Sequence, residues 1–228
     1  MNSLIDFQIK VDAVIKDDAG KLSTAEKESF ISEGVSRYSK HRPQRKVSDI
    51  AGNGGYDYSL PSDWVRDFSM ILSVEYPAGS RPANILGDKD WEIYEDSAGQ
   101  KLRMLYSTPN TGETIRITDT LLHSVNISSS TIAASDADAV ANLAASLCCE
   151  ALANYYAQTA DSNIQADVVN YRTKSSEYAA RASRLMKLYY DHIGIDESSP
   201  HPPAGATGNW DTNYQWGQDR IGHPNRLR

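Results

Sequence analysis

Residues 163–193, NIQADVVNYRTKSSEYAARASRLMKLYYDHI, carry the strongest periodic signal in the chain. Ile164, Val168, Tyr171, Ser175, Tyr178, Ala182, Leu185 and Tyr189 recur at alternating spacings of three and four, which sets them on one face of a helix of about seven turns. Gly194 follows as a C-terminal stop. A helix of this length with a single apolar face cannot bury that face by itself, so other helices must cover it.

Three further segments have the pattern needed to do so. Ser135 with Asp138 resembles a capping box, and Val140, Ala144, Leu147, Ala151 and Tyr155 then form one stripe, rich enough in alanine for a neighbouring helix to approach closely. Near the start of the chain, Leu4, Phe7, Val11, Val14 and Ile15 share a face, with Ile9 off the pattern and Gly20 as a cap. Ser23 and Glu26 form a second capping box. It opens a helix that buries Phe30, Val35 and Tyr38 and stops at Pro43, weakened by Gly34 by up to about 1 kcal/mol relative to alanine.

From Arg45 the period changes. Val47, Ile50, Tyr56, Tyr58 and Leu60 flank the run Gly52, Asn53, Gly54, Gly55, which reads as a hairpin turn. Strands are expected at 68–76, 90–95, 101–106 and 113–121, separated by turn formers at 77–79, 97–99 and 109–112. Such short strands make a small antiparallel sandwich or barrel and not a parallel sheet. The fold class expected is therefore α+β, mainly helical: a four-helix bundle with a β sandwich or barrel inserted between its second and third helices, and an extended C-terminal arm. The boundaries are 1–42 for the helical hairpin, 43–135 for the insert, 136–195 for the long helical pair and 196–228 for the arm.

The chain has 228 residues and 40% hydrophobic content, enough for a substantial core. Its 23 Lys and Arg against 30 Asp and Glu give a formal charge of −7, which disfavours a role in coating DNA, because such a role needs excess cations to displace counterions. The acids exceed the bases chiefly within 43–135. Adjacent Cys148 and Cys149 are poorly placed for a mutual disulfide, which fits a reducing compartment. Met1 to Lys10 has no signal-peptide core, and no stretch approaches the roughly 20 apolar residues of a membrane span, so synthesis in a cytoplasm and no membrane association are expected.

Residues 196–228 hold four of the nine prolines and no hydrophobic period, so they cannot build a packed core. They nevertheless hold Trp210 and Trp216, half of the tryptophans, with Tyr214 between them. Indoles gain most when inserted into a pocket of another protein.

The glycine run lacks the following helix that a phosphate loop requires. Asp88, Asp90 and Glu92 begin like a calcium loop, but Ile93 stands where a glycine must turn and Gly99 where a bidentate carboxylate must sit, so an acidic strand edge is expected. His41, His123, His192, His201 and His223 never approach one another or a cysteine at ligand spacing, and no metal or cofactor is expected. No Gly-x-Ser-x-Gly elbow occurs, and pairs such as Asp63 with Asp67 read as solvated surface, so no catalytic residues are assigned. On the last helix Arg172, Lys174, Arg181, Arg184 and Lys187 interleave with the tyrosines. Arg172, Tyr178, Arg181 and Arg184 are thus candidates for an interface with an acidic neighbouring subunit.

The order of segments, with the phrases Tyr56-Asp57-Tyr58-Ser59-Leu60-Pro61-Ser62-Asp63-Trp64, Val74-Glu75-Tyr76-Pro77-Ala78-Gly79, the alanine-rich stretch from Asp136 to Ala157, and Asp161 through Ala182, resembles the head-to-tail connector, or adaptor, proteins of tailed bacteriophages. The resemblance spans roughly residues 1–195. It implies a structural virion protein: a ring of identical subunits, commonly about twelve, docked beneath the portal in the neck and continuing the DNA channel toward a downstream tail or nozzle protein. DNA would pass through the lumen without specific binding. The arm would reach along the portal, with Trp210, Tyr214, Trp216, Arg220 and Arg226 as the portal-binding candidates. The alternatives are a tail-associated host-binding module, a tail-completion protein or, from another class, a phage hydrolase.

Overall fold

The computed structural model describes residues 3–17, 19–158 and 171–195. Helix α1 (Leu4–Ile15) and helix α2 (Thr24–His41) each start at a capping box. Ser23 and Glu26 form the one read from the sequence. Ser3 and Asp6 form the other, in which the shorter aspartate does the work of glutamate. Strands β1 (Gln44–Ala51), β2 (Asp57–Ser59), β3 (Ile71–Glu75), β4 (Trp91–Asp96), β5 (Gly99–Met104) and β6 (Thr114–Leu121) follow, then a short 3-10 turn at Ala134–Asp136, helix α3 (Ala137–Gln158) and helix α4 (Tyr171–Ile193). The chain is thus mixed α+β, with four helices and two small antiparallel sheets among the described residues.

The helices share one core. Fourteen of the 22 residues of α3 are buried, which makes it the central helix and not a helix with one apolar stripe. It is covered by Phe7, Val11 and Ile15 of α1, by Ile31, Val35 and Tyr38 of α2, and by Ala182, Leu185, Tyr189 and Ile193 of α4. Small residues permit this crowding. A Cβ built on Gly34 would stand 3.4 Å from the backbone nitrogen of Ala144, so the glycine that costs α2 helical propensity is the point where α2 meets α3. Ile9, the residue off the α1 pattern, is 62% exposed.

The strands have a core of their own, built from Tyr58, Val74, Leu102, Met104, Ile115 and Ile117. One sheet has the order β1-β6-β3 and the other β2-β5-β4. Sheet register follows the pleat: along β1 half-buried and exposed residues alternate, and Ile50 pairs with Ile115. β4 is an edge strand with Glu92 and Glu95 exposed.

Two sequence expectations are corrected. Gly52 to Gly55 is no hairpin turn, because β1 pairs with β6 and β2 with β5, so the run carries the chain from one sheet to the other. Gly52 is required there by proximity, since a Cβ would come within 2.2 Å of the carbonyl oxygen of Asn110. Ser135 and Asp138 form no capping box either. The Ser135 hydroxyl donates to Asp136, and Asp138 pairs with Lys10 of α1. Of the long helix expected over 163–193, residues 163–170 lie outside the described residues.

Candidate functional site

Three of the five histidines, His41, His123 and His192, gather where the helices meet the strands, around a carboxylate that sequence patterns did not single out. Asp136 is buried at the start of α3. Its Oδ2 accepts from the Tyr38 hydroxyl at 2.7 Å and from Arg42 Nη1 at 2.9 Å. Its Oδ1 accepts from the Ser135 hydroxyl at 3.0 Å and lies 3.1 Å from His192 Nε2. Burial alone would raise its pKa, but the hydrogen bonds from Tyr38, His192, Arg42 and Ser135 outweigh burial and hold the carboxyl well below the usual carboxylate range. With both oxygens engaged and the proton held off far below neutral pH, Asp136 serves as a clamp and not as a general base. It joins the ends of α2 and α4 to the start of α3. Arg42 extends the clamp by donating from Nη2 to the carbonyl oxygen of Ile193 at 3.2 Å.

The neighbouring histidines are wedged, not reactive. His123 follows β6, and its Nε2 lies 3.0 Å from the carbonyl oxygen of Arg42. Its Nδ1 lies 3.0 Å from the hydroxyl of Thr131, and its ring packs 4.9 Å from that of Tyr38. The backbone N–H of His123 donates to Ser39, whose own hydroxyl is turned back to Val35. Burial lowers the pKa of His123, against the pull of the Arg42 and Thr131 carbonyls. His41 sits 2.6 Å from the Tyr189 hydroxyl, and burial, then Lys40 and Arg37, lower its pKa as well.

Beside this junction an apolar groove of about 380 Å³ opens between α1, α2 and residues 122–125. Leu4, Ile31, Val35, Leu122 and Val125 line it, with His123 as part of the wall. The backbone N–H of Leu4 donates to the carbonyl oxygen of Asn126, and Ile5 and Ile127, the next residues in each segment, are exposed. A second, shallower depression of about 570 Å³ lies at the end of the β2-β5-β4 sheet, among Gly55, Tyr56, Asp57, Arg103, Met104 and Leu105.

Of the residues selected from the sequence, Tyr178 is half-buried and stacked on Tyr156, with centroids 5.6 Å apart and planes 6° from parallel. Arg181 reaches across to α1, donating to the carbonyl oxygen of Ile15 at 3.0 Å. Arg184 is exposed on the same helix. The side chain of Arg172, and Trp210, Tyr214, Trp216, Arg220 and Arg226, lie outside the described residues. Cys148 and Cys149 are buried in α3, where burial pushes their thiols up to about 12 and about 11, far from nucleophilic. Among the described residues no group of three or more His, Cys, Asp or Glu side chains is placed to hold a metal ion. No described helix is long and apolar enough to cross a membrane.

Solved structures of gene transfer agent particles contain chains similar to this one. A chain from the neck of the native particle, computed with C12 symmetry, is 14% identical over 75% of this chain and 89% of its own, with a TM-score of 0.28. A chain from the native virion is 14% identical over 75% and 87%, with a TM-score of 0.30. One from the neck of the empty particle, computed with C6 symmetry, is 16% identical over 77% and 87%, with a TM-score of 0.27. Scores of this size carry no argument about fold or role. No family model and no curated protein sequence matches the chain.

Proposed function

We propose that the chain is a structural subunit of the neck of a tailed phage or phage-like particle, an adaptor between portal and tail that acts without catalysis. In this reading the four helices form a bundle, the strands are an insert between α2 and α3, and identical subunits close into a ring of about twelve around the DNA channel. Residues 196–228 reach the portal, with Trp210, Tyr214 and Trp216 as anchors and Arg220 and Arg226 as charged contacts. Arg172, Arg181 and Arg184 face an acidic neighbour in the ring.

The observation that supports this reading best is the pair of separate cores. Helices from both ends of the chain share one, and the strands between α2 and α3 keep another. That is the segment order on which the resemblance to connector proteins rests. The saturated Asp136 clamp fastens the ends of α2 and α4 to the start of α3, which suits a load-carrying subunit.

Removing the chain from the producing strain tests the proposal. The expected products are filled heads that lack tails and lose DNA. Particles with tails attached but defective in adsorption would favour the host-binding alternative and overturn the adaptor reading.

A further inference from the structure

We infer that the groove between α1, α2 and residues 122–125 is the seat for an indole of the same chain, that of Trp210 or Trp216, so that an isolated subunit holds its own arm. The groove has the character of a receptor. Its walls are aliphatic, its volume of about 380 Å³ falls in the range of sites for small apolar groups, and the exposed hydroxyls of Ser32 and Ser36 stand at its mouth. An indole or phenol suits such a cleft because the ring enters while its N–H or O–H stays at the polar rim. Ile5, next to the lining residue Leu4 in sequence, and Ile127 are 51% and 72% exposed.

What selects the occupant is where the described chain ends. α4 finishes at Ile193, whose carbonyl oxygen accepts from Arg42 Nη2; the carbonyl oxygen of the same Arg42 meets Nε2 of His123, a wall of the groove. The chain therefore leaves the helices one arginine's span from the cleft. Fourteen residues, 196–209, separate the end of the described helical region from Trp210. Fourteen residues span at most about 50 Å when fully extended, so the tether reaches the cleft and holds the arm at an effective concentration far above that of a second copy. A second copy at micromolar concentration cannot compete with that. Glu28 stands in the groove lining with Oε1 on Gln8, and Arg220, four residues beyond Trp216, brings the opposite charge. Holding the arm in cis keeps two indoles and an aliphatic cleft from mediating aggregation until a partner displaces the arm. The contact does not depend on which partner that is.

Two measurements on the full chain test it. With 5-fluorotryptophan incorporated, the four indole resonances are assigned by single replacements, including Trp210→Phe and Trp216→Phe. At least one of Trp210 and Trp216 is expected to show little H2O-to-D2O shift, and Ser36→Phe, which fills the mouth of the groove, is expected to restore the full solvent shift. Both indoles fully solvated in the unmodified chain would overturn the inference. Ser36→Cys combined with Trp216→Cys or Trp210→Cys, oxidised by oxidised glutathione in a mixture of two differently sized copies, gives the second readout. The expected product is a bond within one chain, formed at least about tenfold faster than with Ser183→Cys on the exposed side of α4. Equal rates, or bonds chiefly between the two sizes, would overturn it. Neither result bears on whether the protein sits in a neck, which particle experiments decide separately.

Discussion

The helical core and the β core solve the same burial problem in opposite ways. Around α3 the packing is all-round, with alanines and cysteines of α3 letting large side chains of α1, α2 and α4 close in, and the buried carboxylate of Asp136 is saturated by donors from α2, α4 and its own first turn. The β core rests on six buried side chains, and beside it lies Asp119, a buried carboxylate with neither oxygen hydrogen-bonded. Lys46, directly opposite it on β1, is drawn away to Asp63 at the surface. Burial raises the pKa of Asp119, and the charge of Asp63 adds to this, while Lys46 opposes it. The contrast teaches that a buried acid stabilises a fold only where side-chain donors converge on both of its oxygens.

The largest effect should come from breaking the saturated side. Asp136→Asn leaves Arg42 without its counter-charge and spoils the donor set, so a loss of about 3 kcal/mol is expected in chemical denaturation at neutral pH. Because the folded carboxyl lies below its unfolded value, the stabilisation is complete above about pH 4 and fades as pH falls through the acid range, where mutant and parent should converge. Gly34→Leu should cost about 2 kcal/mol by forcing α2 away from the Ala144 backbone, read in the same assay.

The opposite sign is expected in the sheets. Asp119→Leu should stabilise the protein by about 1–2 kcal/mol at pH 7, since it removes an unpartnered buried carboxylate at similar volume. A raised folded pKa means the parent regains that stability as pH falls toward the unfolded value near 4, so the advantage of the variant should shrink there. Smaller still, His41 and His123 should titrate below the ordinary value of about 6.5 by NMR, and stability should decline as pH falls below that value, because the unfolded state takes up those protons first. Replacing Arg116, which bridges exposed Asp49 across the sheet, by Gln should leave the denaturation midpoint nearly unchanged.

The helices and strands behind this contrast were legible in the sequence, for reasons particular residues show, but the two buried acids were not. Periodicity located Phe7, Val11 and Ile15 and left Ile9 outside, because a helix with one covered face repeats its apolar residues at that spacing. The alternation of period also marked the strands. It also located α3, with Val140, Ala144 and Leu147 buried as read, but understated its burial, which reaches nearly every side; and it misread Gly52, whose glycine answers a backbone neighbour about sixty positions away and not a local turn. The Asp136 cluster was illegible for the same reason. Tyr38, Arg42, Asp136 and His192 belong to three helix ends that only tertiary packing brings together. A signal was present in hindsight in His41 and Arg42 just before the Pro43 break, since basic residues at a helix end seek an acceptor.

The most direct test of the account is electron cryomicroscopy of intact particles purified from a producing cell, with the chain located by its density. The account predicts a closed ring of identical copies between portal and tail, with the helices forming the wall around the channel and residues 196–228 running along the portal. Particles whose neck lacks this chain, or in which it sits only at the tail tip, would contradict it.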